Sequence, residues 1–130
     1  MITYIWLGSY SYVLEVTIIA SITGAADFLK RFKQEATTSG INFIPRRANL
    51  DALANLGMSI ADAEFIILGL SARDYISGPA VDHDGTTGEI WVFGAVINRD
   101  NIYIKVKLET GRAACISFHE AQYPLVFPLH

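Results

Sequence analysis

Tyr103, Lys105, Lys107, Ser117 and His119 fall at intervals of two within two short runs near the end of the chain. Residues two apart in a β-strand share a face. From Ile102 the alternation is strict: Ile102, Ile104, Val106 and Leu108 point one way, and Tyr103, Lys105, Lys107 and Glu109 the other. Beyond the Thr110–Gly111–Arg112 turn a second run follows, with Ala114, Ile116 and Phe118 as its apolar set and Ala113, Cys115, Ser117 and His119 opposite. If the two runs form a hairpin, one face is core and the other gathers a phenol, two ammonium groups, a hydroxyl and an imidazole. Such a face suits phosphate chemistry, because it offers positive charge beside a group that titrates near neutrality. An ordinary solvated face is the competing interpretation. Glu120, next to His119, could orient the imidazole, although adjacent strand residues normally point oppositely.

Three strands must position these groups. The stretch Gly88–Pro124 reads as strand segments joined by tight turns at Asn98–Asn101 and Thr110–Arg112, and connections this short force antiparallel neighbours. Ahead of the strands the pattern is helical. Asp27 is placed to cap a segment carrying Phe28, Leu29 and Phe32, which ends before Thr37–Gly40. Asn49 is a good N-cap for Leu50–Leu56, whose stripe is Leu50, Leu53, Ala54 and Leu56, with Gly57 closing the helix. Ser59 with Asp62 forms a short capping box for a third helix carrying Ile60, Ala63, Ile67 and Leu68. Ser71 and Asp74 cap one further turn, and Ser77–Gly78–Pro79 opens into a loop over residues 80–88.

The N-terminal stretch is a different piece. Residues 2–23 carry one charge, Glu15, and Tyr10, Tyr12, Leu14, Val16 and Ile18 alternate with Ser9, Ser11, Val13, Glu15 and Thr17, which is the period of a half-buried strand. Residues 1–24 are therefore expected to be an apolar strand or irregular extension, and residues 25–130 a single α+β domain. A membrane span and a start-site artefact are the rivals, the span opposed by Glu15, the Ser/Thr/Tyr content and the absence of Lys or Arg before the run. Left uncovered, such a segment invites aggregation, so packing against the domain or self-association with a second copy is expected.

At 130 residues the chain can bury one core without staples. Its single cysteine, Cys115, rules out an internal disulfide and reads as a packed small residue rather than a nucleophile. A net charge of −3 and a pI near 5.5 count against strong nonspecific nucleic-acid binding. Lys30, Arg31, Lys33, Arg46 and Arg47 nevertheless cluster in the first half, where a basic patch could form. Arg46 and Arg47, just before a helix, read either as a solvated pair or as phosphate-backbone contacts. Asp82–His83–Asp84 resembles a metal triplet, but neighbours in one loop rarely converge on a single ion, and no metal or other cofactor is expected.

The order of helices before a three-stranded meander, with Leu68-Gly69-Leu70-Ser71 and Asp74-Tyr75 at the helix exit, Ile102-Tyr103-Ile104-Lys105 in the middle strand and Ile116-Ser117-Phe118-His119 ending the last, resembles the MqsR (motility quorum-sensing regulator) family of bacterial type II toxins. The likeness covers Asp27 to Pro124. It implies a RelE-like α+β domain in the cytoplasm, acting as a metal-independent endoribonuclease on messenger RNA and neutralised by a cognate antitoxin. Where the family carries a lysine after the helix exit, this sequence has Ser77. Where it carries glutamine and tyrosine on the first strand, this sequence offers Trp91, Val92 and Phe93. At the strand-ending lysine it has His119, the one position that keeps a cationic or proton-transferring group. RNA cleavage without a metal needs a base for the 2′-hydroxyl, charge on the phosphorane and an acid for the leaving 5′-oxygen. His119 suits either proton role, Lys105 and Lys107 supply charge, Tyr103 stacks on a base or orients the phosphate, and Ser117, Arg46 and Arg47 are candidate substrate contacts. A non-catalytic interaction module on the same fold is the alternative.

Overall fold

Ala25, Phe28, Leu29, Phe32 and Ala36 recur at the i, i+3, i+4 spacing that lines one face of a helix, and all five are buried. They belong to α1, Ser9–Ser39. The computed structural model describes residues 9–81 and 87–129, with side chains from Ile19 onwards. After α1 come β1 (Ile41–Phe43), α2 (Arg47–Leu56), α3 (Ile60–Leu68), a 3-10 turn at Ala72–Asp74, and four strands: β2 (Tyr75–Ala80), β3 (Glu89–Ile97), β4 (Asp100–Glu109) and β5 (Arg112–Glu120). The strands form one five-stranded sheet in the order β1-β5-β4-β3-β2. The expected meander is β3-β4-β5, antiparallel throughout, with β2 added antiparallel to β3 and β1 parallel to β5. The α+β class holds; three helices and a mixed sheet build it.

Helices lie over one face of the sheet. Phe28 of α1 stacks on Trp91 at 5.4 Å and on Phe93 at 6.3 Å, with Phe32 at 5.7 Å. Together with Ile102, Ile104, Val106, Cys115, Phe118, Leu53 and Ile67 these form the core. Burial of each such large side chain is worth about 1.5–3 kcal/mol.

Several expectations are corrected. Residues 9–24 are helical rather than extended, and α1 runs through residue 24 without a break. Adding residues to a helix already nucleated by its packed half costs only small propensity differences, so β-branched content does not stop it. Asp27 accordingly lies inside α1 rather than at its N-cap, and its carboxylate pairs with Arg31 one turn on, at 2.8 Å. The second helix starts at Arg47 with Arg46 as N-cap, so Asn49 sits within the first turn and the inward face becomes Asn49, Ala52 and Leu53; Leu50 and Ala54 turn outward. Gly57 closes that helix in the left-handed conformation, as expected. Ser59 and Asp62 form the reciprocal capping box, and Ser71 with Asp74 forms another. On α3 the inward residues are Ala63 and Ile67, while Ile60 and Leu68 are exposed. Part of the expected loop after Ser77 is strand β2, where Pro79 is tolerated because the strand is an edge. The Asp82–His83–Asp84 triplet lies outside the described residues.

Arg31 ties α1 to the start of β3 through a forked pair with Glu89, 2.6 and 3.1 Å, while also meeting Asp27. Hydrogen bonding from Arg31 holds the Glu89 carboxyl below the usual carboxylate range. A depressed folded-state pKa contributes stability that is complete above the ordinary carboxylate pKa and is lost as pH falls through the folded value. Glu89→Gln should therefore lower stability at pH 7 by up to about 1 kcal/mol, the scale of a half-exposed pair. The difference between the two proteins should shrink in urea titrations as the pH is lowered below the ordinary carboxylate range.

Candidate functional site

β4 delivers its side chains as the alternation requires, with Ile102, Ile104 and Val106 buried in the core and Tyr103, Lys105 and Lys107 on the opposite face. β5 does not alternate throughout. Its pairing runs Leu108↔Ala113, Lys107↔Ala114 and Val106↔Cys115, then steps to Lys105↔Ser117, Ile104↔Phe118 and Tyr103↔His119. Ile116 is the extra residue of a β-bulge. Before the bulge Ala113 and Cys115 are core residues and Ala114 faces Lys107; after it Phe118 is core while Ser117 and His119 face outward. The expected division of β5 therefore holds for Phe118, Ser117 and His119, and is reversed for Ala113, Ala114 and Cys115.

The bulge exposes backbone groups that β1 is too short to pair, and each finds a partner. Ile44 N–H donates to the Cys115 carbonyl at 3.0 Å. The Asn49 amide donates to the carbonyls of Ile116 at 3.0 Å and Ile44 at 2.9 Å, and accepts from Phe118 N–H at 3.0 Å. Cys115 Sγ donates to the Ser117 carbonyl at 3.4 Å. Asn49 is 1% exposed. Three hydrogen bonds in the interior outweigh the single one it would make as a helix cap, which is why it is not one.

Across the sheet the outer face is organised in rows: Gly94–Tyr103–His119, Val92–Lys105–Ser117 and Ile90–Lys107–Ala114. The β4 and β5 members of the first two rows, Tyr103, Lys105, Ser117 and His119, floor a cleft of about 450 Å³; residues 121–125 form its wall. That wall is fixed at one end by Ala121 N–H on the Asn101 carbonyl, 2.8 Å, and continues over β3, where Gly94 has no side chain. A Cβ at Gly94 would lie 2.8 Å from both Leu125 Cδ1 and Phe127 Cζ, so those two side-chain tips pack directly on the glycine and would have to turn aside for any other residue.

Tyr103 and His119 stack at 5.6 Å with planes 19° apart. His119 Nδ1 lies 3.0 Å from the Glu120 backbone carbonyl. A carbonyl only accepts, so this contact places the hydrogen on Nδ1 and leaves the Nε2 lone pair to accept a proton. The backbone of Glu120, not its carboxylate, orients the ring. Lys105 has no ion-pair partner among the described residues. Lys107 shares the face but is 6% exposed, meets Glu109 at 3.4 Å and does not line the cleft.

Arg46 and Arg47 stand at the start of α2, away from the cleft lining, with Arg47 3.7 Å from Asp51. The remainder of the anticipated basic patch is dispersed, since Arg31 binds Asp27 and Glu89 and Lys33 donates to the Leu70 carbonyl at 2.6 Å. A larger depression of about 510 Å³ lies between α1 and the strand turns, but its cation is the committed Arg31 and its other charged groups are Glu35, Glu89 and Glu109, which disfavour an anion. Among the described residues no group of three or more His, Cys, Asp or Glu is placed to hold a metal. No helix among them is long and apolar enough to cross a membrane.

Sequence reasoning missed Asn49 as a site-building residue, the bulge, and the cleft wall. The one available signal was the run Ala113–Ala114–Cys115, whose small residues fit either face and so leave the phase of β5 undetermined. Burial pushes the Cys115 thiol up to about 12, which keeps it a protonated donor. Native protein at pH 8 should leave Cys115 unmodified by a disulfide-exchange reagent, while the same protein in denaturant should titrate one thiol at once; rapid labelling of the native form would contradict this burial. No family model, curated protein or solved structure matches the chain.

Proposed function

We propose that the Tyr103–Lys105–His119 cleft binds and cleaves RNA without a metal ion, and that the protein is the toxin of a type II toxin–antitoxin pair. In this proposal it is a divergent relative of the MqsR family with a RelE-like domain, acting on cytoplasmic messenger RNA and held inactive by a cognate antitoxin. The observation that carries it is the stacked Tyr103–His119 pair beside Lys105, a cation with no ion-pair partner among the described residues.

Each group has a chemical task. His119 Nε2 takes the proton from the 2′-hydroxyl, whose oxygen attacks phosphorus. Lys105 sets its charge against the phosphorane. The Tyr103 phenol protonates the departing 5′-oxygen and recovers its proton from the imidazolium. The products are a 2′,3′-cyclic phosphate and a free 5′-hydroxyl, and both proton-transfer groups return to their starting states. Ser117 lies in the row with Lys105 and offers a hydroxyl to a phosphate oxygen. Lys107, buried and near Glu109, supports the field of the face rather than touching substrate. Arg46 and Arg47 serve as outlying contacts for the RNA backbone.

A second reading, a non-catalytic interaction module, is favoured by one observation. Phe65 is 78% exposed on α3, between the exposed Ile60 and Leu68, an apolar surface of the kind that docks a partner. Self-association through the N-terminal segment would belong to either reading.

Purified protein incubated with single-stranded RNA in excess EDTA should yield cyclic-phosphate ends. His119→Ala should lose cleavage by about 10²–10⁴-fold and abolish growth inhibition on expression, with stability changed by no more than about 1 kcal/mol. Cleavage at the wild-type rate by His119→Ala removes the residue from the mechanism, and absence of cleavage by the wild type favours the interaction module.

A further inference from the structure

The bulge at Ile116 decides which face Ser117 and His119 present. Continued alternation from Ala113 and Cys115, both core residues, would carry Ser117 and His119 inward and turn Phe118 out. Two interactions oppose that register. Phe118 packs near Phe43 in the core, ring centroids 6.2 Å apart. The amide of Asn49 spans the bulge, donating to the Ile116 carbonyl and accepting from Phe118 N–H. Among neutral side chains of this length, only a carboxamide offers a donor and an acceptor on one planar end. A third bond, to the Ile44 carbonyl, anchors the same amide to the chain leading into α2.

We infer that Asn49 is a positioning residue for the cleft: it holds the bulged register of β5 and thereby keeps His119 stacked on Tyr103. Its consequence for catalysis rests on the ribonuclease reading; the positioning itself does not. Asn49 touches no substrate, being buried beneath the sheet edge, and it acts through the backbone on either side of Ile116.

The ring contact can be read without RNA, as nuclear Overhauser effects between the Tyr103 and His119 rings. Asn49→Ala should fold with a lowered Tm and lose these effects. Leu53→Ala, which hollows the same helix's core contact, should lower Tm and keep them. Combining Asn49→Ala with deletion of Ile116 gives a strand that alternates in phase with the cleft without a bulge, and the ring contact should return. In cleavage assays Asn49→Ala should lose on the order of 10²–10⁴-fold in kcat, as His119→Ala does, because the register slip takes the imidazole out of the cleft. Ring contacts that persist in folded Asn49→Ala overturn the inference, as does equal loss in Leu53→Ala. If Asn49→Ala does not fold, the deletion in that background decides: recovery of fold and ring contact supports the inference, and failure to recover overturns it. A wild type that does not cleave RNA sinks the ribonuclease reading while leaving the ring-contact result to stand by itself.

Discussion

The carboxamide of Asn49 substitutes for a missing stretch of strand. β1 pairs with β5 over three residues and then stops, leaving an edge of β5 that would be buried and unpaired just where the strand bulges. An unpartnered buried backbone group costs about 1–3 kcal/mol, so such an edge requires a solution. The solution fixes three things together: the entry of the chain into α2, the bulge, and the face on which β5 presents its last polar residues. The outer face of the sheet is coherent because this one polar contact is satisfied from the inner side.

The two faces of the sheet are held by different physics. On the helical side Phe28, Phe32, Trp91 and Phe93 form an aromatic cluster, and α1 is pinned over it by apolar burial and by the fork between Arg31 and Glu89. On the other side the floor is polar and the cover is a short irregular segment. Most cations of the chain's first half are spent on local contacts: Arg31 on two carboxylates, Lys33 on a helix-end carbonyl, Arg47 near Asp51. Lys105 is placed differently, half-buried between Val92 and Ser117 with no carboxylate in reach among the described residues. Such a cation keeps its attraction for an incoming anion, since no carboxylate among the described residues pairs with it.

The sequence made β4 legible because Ile102–Leu108 alternates without exception, and the two turns because Asn98–Asn101 and Thr110–Arg112 carry the residues that tight connections need. Asn98 and Arg99 indeed adopt positive φ. The capping boxes at Ser59 and Ser71 were legible for the same local reason. What escaped depended on distant partners. The alternation from Tyr10 to Ile18 gave a strand period, yet the stretch continues a helix anchored further on, from Ala25 to Ala36, and local periodicity carries no information about that anchor. Asn49 looked like a cap because caps are local, while two of its three bonds reach residues more than sixty positions away. The polar residues of the cleft could be grouped from their spacing, but the phase of β5 could not, since Ala, Ala and Cys fit either face.

The wall of the cleft gives the site an asymmetry. Its floor is made of residues on paired strands, whereas the wall at residues 121–125 is irregular chain, with Gln122, Tyr123 and Pro124 exposed. A molecule entering the cleft meets residues held by the sheet from below and residues held by no strand ladder from the side. Exposed residues outside regular structure tolerate substitution, so drift at positions 122–124 alters the opening while leaving the floor as it is. Gly94 is the exception to that freedom. It lies on β3, outside the cleft lining, yet a side chain there would press on the tips of Leu125 and Phe127, which would have to turn aside. The packing of the covering segment is thus sensitive to a position that contributes no atom to the opening.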